Sequence, residues 1–233
     1  MKQHIKLFEE YESPEIKDSL QLNSIGYGYT TKEKHELGQK EDKIKTWFID
    51  NGYADKIFSE CPLNDSDITR KELDILLDKM ANATEEDLTF ARYVEDESNM
   101  AQAFIDFLAS KDIEETMGGF FSVDSQTEPI LFYLKEVINR PRPYQVAYAL
   151  SIPLYPLIHS DANTAAYPSG HALAAFVMSE YYSRKHTELR VELQALGEKI
   201  ANSREIIGVH YPSDTQVSKD MCKIIFDNNL LIT

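Results

Sequence analysis

Residues 168–183 read PSGHALAAFVMSEYYS. A proline, then Ser-Gly, then a run rich in Ala, Leu, Phe and Met predicts a buried helix over about His171 to Ser183, with Ser169 as its cap. A helix start of this kind presents backbone N–H groups without partners and the positive end of the helix dipole, which suits an anion. Gly170 allows close approach to the backbone, and His171 rides on the first turn. Taken alone, the segment reads equally well as a serine cap beside a chance histidine.

Outward from this stretch the chain reads as more helix. Leu189, Leu193, Leu196 and Ile200 predict a helix running through Arg204 to about Ile207, stopped by Gly208. The last helix begins near Ser213 or Asp214 and uses Val217, Met221, Ile224 and Ile225. Upstream, Ser125 and Glu128, with Pro129 near the first turn, start a helix whose apolar side is Ile130, Leu134, Val137 and Ile138. It ends at about Asn139, ahead of Arg140 and Pro141, because a proline pushes the chain before it out of the helical region. Gly118 and Gly119 read as a break before it. Thr84 with Asp87 introduces one long helix whose stripe takes in Leu88, Ala91, Val94, Ala101, Phe104, Ile105 and Leu108. Thr69 with Glu72 reads as a capping box ahead of Leu73, Leu76, Leu77 and Met80. Lys43 to Ile49 reads as helical around Trp47, and Asn23 to Thr31, with Gly26 and Gly28, as a loop. No run of alternating strand residues stands out. The expected fold is all-α, a single-domain helical bundle, with residues 66–233 as its core and residues 1–65 as an N-terminal segment packed on the same domain.

The 233 residues suffice for one well-buried domain, and 42% hydrophobic with 27% charged residues is ordinary for a globular chain. A net charge of -15 is not. It argues against nucleic acid or an anionic membrane as a general partner and makes any local cluster of cations conspicuous. Cys61 and Cys222 lie far apart without metal-type spacing and read as reduced thiols. Met1 to Tyr11 carries Lys and Glu and lacks the apolar run of a signal peptide. The longest apolar stretch, Val146 to Ile158, falls short of the ~20 residues that cross a bilayer and carries Pro153 and Pro156. A cytoplasmic protein is expected, or a periplasmic or secreted one if a leader was removed.

Two further segments carry candidate chemistry. Lys135 is followed, six residues later, by Arg142-Pro143, so that both cations flank the end of one helix. Ser203-Arg204 is followed after five residues by His210, and after three more by Asp214. An aspartate that accepts from one imidazole nitrogen fixes the tautomer and leaves the other as a lone-pair donor. Separately, these segments also read as surface cations and a helix-capping aspartate.

Together, in this order, the three segments resemble the signature of the type 2 phosphatidic-acid phosphatase superfamily. The likeness runs from Tyr133 to about Met221 and includes Gly208-Val209-His210-Tyr211. The chain resembles the soluble class A non-specific acid phosphatases, which share their site with vanadium-dependent haloperoxidases. The resemblance implies a metal-independent acid phosphatase that hydrolyses phosphomonoesters. His210 would be the nucleophile, forming a phosphohistidine; Asp214 would orient it; His171 would protonate the leaving oxygen and then activate water. Lys135, Arg142, Ser169, Gly170 and Arg204 would bind the phosphoryl oxygens. No cofactor is implied. In the haloperoxidase alternative, vanadate would occupy the phosphate site; a phosphate-binding protein without catalysis is a second alternative. The implied partner is a small phosphorylated substrate, and family members of this kind also form homodimers. Asp214 favours the cationic form of His210 and the three cations oppose it. His171 is expected to start the reaction protonated. His4, His35 and His186 read as surface residues. His159 stays outside the site, in a loop whose Asp161 and Asn163 are placed to shape substrate choice.

Overall fold

The computed structural model describes residues 43–160 and 164–231. The expectations for His4, His35, Asn23 to Thr31, Asp161 and Asn163 lie outside the described residues. Every regular element among the described residues is helical, as expected for an all-α chain.

Two short helices, α1 (Lys43–Asp50) and α2 (Tyr53–Glu60), come first. They are followed by α3 (Asp67–Ala81), α4 (Glu85–Tyr93), α5 (Glu97–Ala109) and α6 (Met117–Ile138). After α7 (Pro143–Ala149) come α8 (Gly170–Lys185), α9 (Arg190–Ile206) and α10 (Pro212–Asp227). Helix α8 is the centre. Ala172, Leu173, Ala175, Val177, Met178 and Tyr182 are all buried, so the helix is apolar on nearly every side, as a core helix must be. Helices α9, α10, α6 and α5 pack around it. On the outer side of α6, α1 and α2 add Ile44, Phe48, Ala54 and Ile57 to the same core.

Several boundaries depart from the sequence reading, and each has a local cause. Helix α3 is capped by Ser66, whose hydroxyl accepts from Thr69 N at 3.2 Å, one turn earlier than the Thr69 box predicted. Thr69 instead donates to Leu63 O at 2.8 Å. The Thr84–Asp87 box does form and starts α4. The predicted long helix is broken at Val94–Asp96, because Asp96 accepts from the amides of Ser98 and Asn99 and caps a new helix, α5. Helix α6 begins at Met117, so Gly118 and Gly119 lie in its first turn and Pro129 lies inside it. Packing of Phe120, Val123, Ile130 and Leu134 against the core outweighs the missing N–H of that proline. Asn139, at φ 50, ends the helix in the left-handed conformation close to the expected position. The connection from α9 to α10 depends on Gly208, at φ 78, where an added Cβ would meet Met80 Sδ at 2.8 Å.

Among the described residues no helix is long and apolar enough to cross a membrane. Both cysteines are free thiols, Cys222 buried and Cys61 half-buried.

Candidate active site

Lys135 sits in the last turn of α6, and its ammonium donates to the carbonyl of Ala165. The left-handed Asn139 turns the chain so that Arg140 and Arg142 enter the interior, and Arg142 stands at the N-cap of α7. Its amide donates to Gln145 Oε1 at 2.7 Å. The Arg142 guanidinium is fixed by backbone carbonyls: Nε donates to Thr164 O at 2.8 Å and Nη1 to Val209 O at 3.0 Å. Backbone acceptors therefore aim both cations without neutralising them.

His210 lies between α9 and α10, buried at 2% exposure. Its Nδ1 is 3.0 Å from Asp214 Oδ2, and its Nε2 is 2.8 Å from Arg142 Nη1. A guanidinium only donates, so Nε2 must carry the lone pair and Nδ1 the proton. Burial pushes the imidazole well below its ordinary value, and Arg142, Lys135 and Arg204 push it further the same way. The balance left open by the sequence thus falls on the neutral side.

Asp214 is held from three directions. Tyr211 N donates to its Oδ2 at 2.9 Å, and Arg140 Nη1 donates to its Oδ1 at 2.8 Å. Burial pushes the carboxyl up, and Arg140 and the Tyr211 amide oppose that. Arg140 also reaches Glu72 Oε2 at 2.9 Å and stacks over the Tyr211 ring, 3.8 Å from its centroid. Ser213 N closes the network by donating to Glu72 Oε1 at 2.6 Å. Helix α3 is thereby tied to the start of α10 through a buried arginine.

His171 stands at the start of α8, and its Nε2 lies 2.9 Å from the carbonyl of Glu95. That carbonyl is an acceptor, so Nε2 is protonated and Nδ1 holds the lone pair in the neutral ring. Burial lowers His171 to about 4, with Arg204 adding to the effect. In the free site, burial and Arg204 thus disfavour the cationic ring near neutral pH. Arg204, fully buried, donates to the Glu95 carboxylate from Nη1 and to Ser160 Oγ at 3.2 Å from Nη2. Its Nε is buried without a hydrogen-bond partner among the described residues. Glu95 also accepts from Ser160 Oγ at 2.6 Å. Burial would raise the Glu95 carboxyl, but Arg204 and Ser160 outweigh it and hold it below the ordinary value.

Lys135, Arg142, Gly170, His171, Arg204 and His210 line one cavity of about 520 Å³. Gly170 packs tightly there, since an added Cβ would lie 3.3 Å from Leu131 Cδ2. Ser169 and Asp214 are not on the cavity surface. Ser169 is fully buried behind it; its amide donates to Asp214 O at 3.2 Å and its hydroxyl accepts from Ala172 N at 3.4 Å. Its amide is thus already engaged, leaving Gly170 as the part of that helix start which faces the cavity. His159 is exposed and lies off the cavity, and His186 is half-buried, 3.5 Å from Glu115.

Sequence reasoning missed Arg140, Glu72 and Glu95. Arg140 was in view, between the two cations, but nothing in its spacing marked it as interior. Glu95 was hidden by the reading of one continuous helix through Val94; only a break puts both its carbonyl and its carboxylate in the cavity. No group of three His, Cys, Asp or Glu side chains among the described residues is arranged to hold a metal ion.

Buried Lys135 is lowered well below its usual value, by burial first and then by Arg142; burial likewise brings Arg142 down to about 10. An anion in the cavity would relieve both. No family model matches the sequence, and no curated protein matches it. Among solved structures, the chain is similar to the first transmembrane PAP2 type phosphatidylglycerolphosphate phosphatase from Bacillus subtilis. The TM-score is 0.52 at 16% identity, and the match covers 82% of this chain and 98% of that one. The helical core centred on α8, which sets Lys135, Arg142, Arg204 and two histidines around one cavity, is thus similar in fold to that phosphatase.

Proposed function

We propose that this chain is a metal-independent phosphatase of the type 2 phosphatidic-acid phosphatase kind, acting on small phosphomonoesters through a phosphohistidine. The observation that carries the reading is the Nε2 lone pair of His210, held on the wall of a cavity that Lys135, Arg142 and Arg204 also line. The acidic chain repels anionic membranes, which favours small water-soluble substrates.

In this reading the phosphoryl oxygens take the donors of Lys135, Arg142, Arg204 and the Gly170 amide. Phosphoryl transfer spreads charge over three equatorial oxygens, so fixed cations supply most of the stabilisation. Entry of the phosphate draws the Arg142 guanidinium off Nε2 and frees the lone pair. Nε2 then attacks phosphorus while the ester oxygen departs with a proton from His171. Asp214 holds the Nδ1 proton and stabilises the charge that develops on the ring. His171, now neutral, takes a proton from water; the hydroxide attacks the phosphohistidine, releasing inorganic phosphate and restoring His210. His171 is neutral in the free site, so its acid form arises when the phosphate dianion binds and offsets the neighbouring cations.

The test is hydrolysis of p-nitrophenyl phosphate in excess chelator, with an alkaline quench and mass analysis of the His210 peptide. Turnover with a phosphate adduct on His210 supports the reading. Turnover that chelator abolishes, or an adduct elsewhere, would overturn it. Bromination in the presence of vanadate and peroxide, without phosphatase turnover, would assign the site to the haloperoxidase alternative.

A further inference from the structure

The cavity that holds the cations has a second wall of opposite sign. Asp124, Glu128 and Leu131 line it from α6, the helix that also carries Lys135, and Glu97 lines it from the first turn of α5. On α6 the spacing 124, 128, 131, 135 follows one helix face. The helical rise places Glu128 roughly 10 Å, and Asp124 roughly 16 Å, along the axis from Lys135.

Asp124 is the telling member. It is only 8% exposed, it lines the cavity, and its carboxylate has no hydrogen bond or ion pair among the described residues. An unpaired carboxylate in such a position is costly unless something of opposite charge joins it. Burial raises its carboxyl to about 7, and the neighbouring Glu97 and Glu128 add to that. Glu97 is raised too, by burial and then by Glu128 and Asp96. Among the described residues, the cation on this side of the cavity is Arg92, and it is paired with Glu85 at 3.3 Å. Asp96, close by, spends its carboxylate on capping α5. A metal ion does not suit the wall, because no three of its acids are arranged as ligands among the described residues.

We propose that Glu97, Asp124 and Glu128 form a subsite for an ammonium group, so that the preferred substrate is a phosphomonoester carrying a cationic amine roughly 10–16 Å along α6 from the cations that hold the phosphate. The phosphate sits among Lys135, Arg142 and Arg204, and the amine reaches back along α6 to the carboxylates. The same wall turns away esters with a second anionic group. This inference rests on the phosphatase reading for the identity of the anionic end.

The test compares three esters of matched length: aminohexyl phosphate, heptyl phosphate and carboxypentyl phosphate. The aminohexyl ester is expected to have about tenfold higher kcat/KM than the heptyl ester, and the carboxypentyl ester a lower value than both. Asp124→Asn should bring the amino-to-alkyl ratio close to one; if that variant does not fold, Glu128→Gln, at a half-buried position, should lower the same ratio. Equal values for the amino and alkyl esters in the unaltered protein would overturn the subsite while leaving the phosphatase intact. If no ester is hydrolysed, the phosphatase reading fails. Calorimetry with aminohexylphosphonate against heptylphosphonate then decides the subsite by itself, equal affinities overturning it.

Discussion

The carboxylate of Glu95 sits on the guanidinium of Arg204, inside the cavity and against the cation that a phosphoryl oxygen would use. It is a carboxylate in the company expected for substrate, and it also lies close enough to His171 to raise its affinity for a proton. Glu95→Gln should therefore do two things. Inorganic phosphate should inhibit about five- to tenfold more strongly, because Arg204 no longer has a competing anion. The alkaline limb of the rate profile, where His171 loses its proton, should also move to lower pH, since His171 loses a favourable neighbour. An unchanged inhibition constant for phosphate would remove Arg204 from the anion site.

Arg140 acts one step further back. It touches no cavity surface, yet it joins Asp214 to Glu72 with both carboxylates buried. Arg140→Gln would leave two buried carboxylates short of their counter-charge, a loss of roughly 3–5 kcal/mol of stability for breaking such a network. Arg140→Lys keeps the charge but cannot meet two carboxylates with one planar fork, so it should recover only part of the melting temperature. If Arg140 positions the Asp214–His210 pair, the lysine variant should lower kcat about tenfold or more with KM little changed. A shift in KM alone would make the arginine purely structural.

How much of this was legible beforehand varies with the range of the interactions. The cations and histidines that line the cavity were legible because their spacing resembles a signature, and the helices through Leu193 or Val217 because periodicity is local. The start of α6 was not legible: two glycines and Pro129 all argue against a helix, and only burial of Phe120 and Val123 in the tertiary core overrides them. Arg140, Glu72 and Glu95 were illegible for a similar reason. Their partners lie 65 or more positions away in the chain, and no local pattern marks which charged residue turns inward.

The buried titratable groups give the stability of the fold a definite pH dependence. His171 is depressed to about 4, from about 6.5 when unfolded, and His210 is depressed as well. The unfolded chain therefore binds these protons first, so the contribution is complete above about pH 6.5 and is lost as pH falls toward 4. Asp124 has the opposite sign: raised to about 7 from about 3.9, it favours the fold at low pH and ceases to as pH rises through 7. The two contributions oppose each other between pH 6.5 and 4.5, so the histidine is read by difference: the melting temperature of the unaltered protein should fall relative to that of His171→Gln as pH drops across that window. Asp124→Asn should raise the melting temperature at pH 8 and change it little at pH 4. A lower melting temperature for Asp124→Asn at pH 8 would mean that the carboxylate already has a cation of its own in the free protein.

His171 decides whether the site depends on proton delivery to the leaving group. A nitrophenolate leaves as a stable anion, whereas an alkoxide needs its proton in the transition state. His171→Ala should accordingly cost about a hundredfold or more with an alkyl phosphate and much less with p-nitrophenyl phosphate. In the free enzyme the acid form of His171, depressed to about 4, declines tenfold per pH unit above that value. For alkyl esters kcat/KM should therefore climb as pH drops from 7 to 5. The limb in kcat should lie at higher pH, because a bound dianion stabilises the imidazolium. Phosphomonoesters themselves ionise near pH 6, but that ionisation is common to the unaltered enzyme and the variant, so the difference between their profiles isolates the histidine. Equal losses on both leaving groups, with the alkaline limb intact in the variant, would place the proton donor elsewhere and leave His171 as a hydrogen-bonding contact to Glu95.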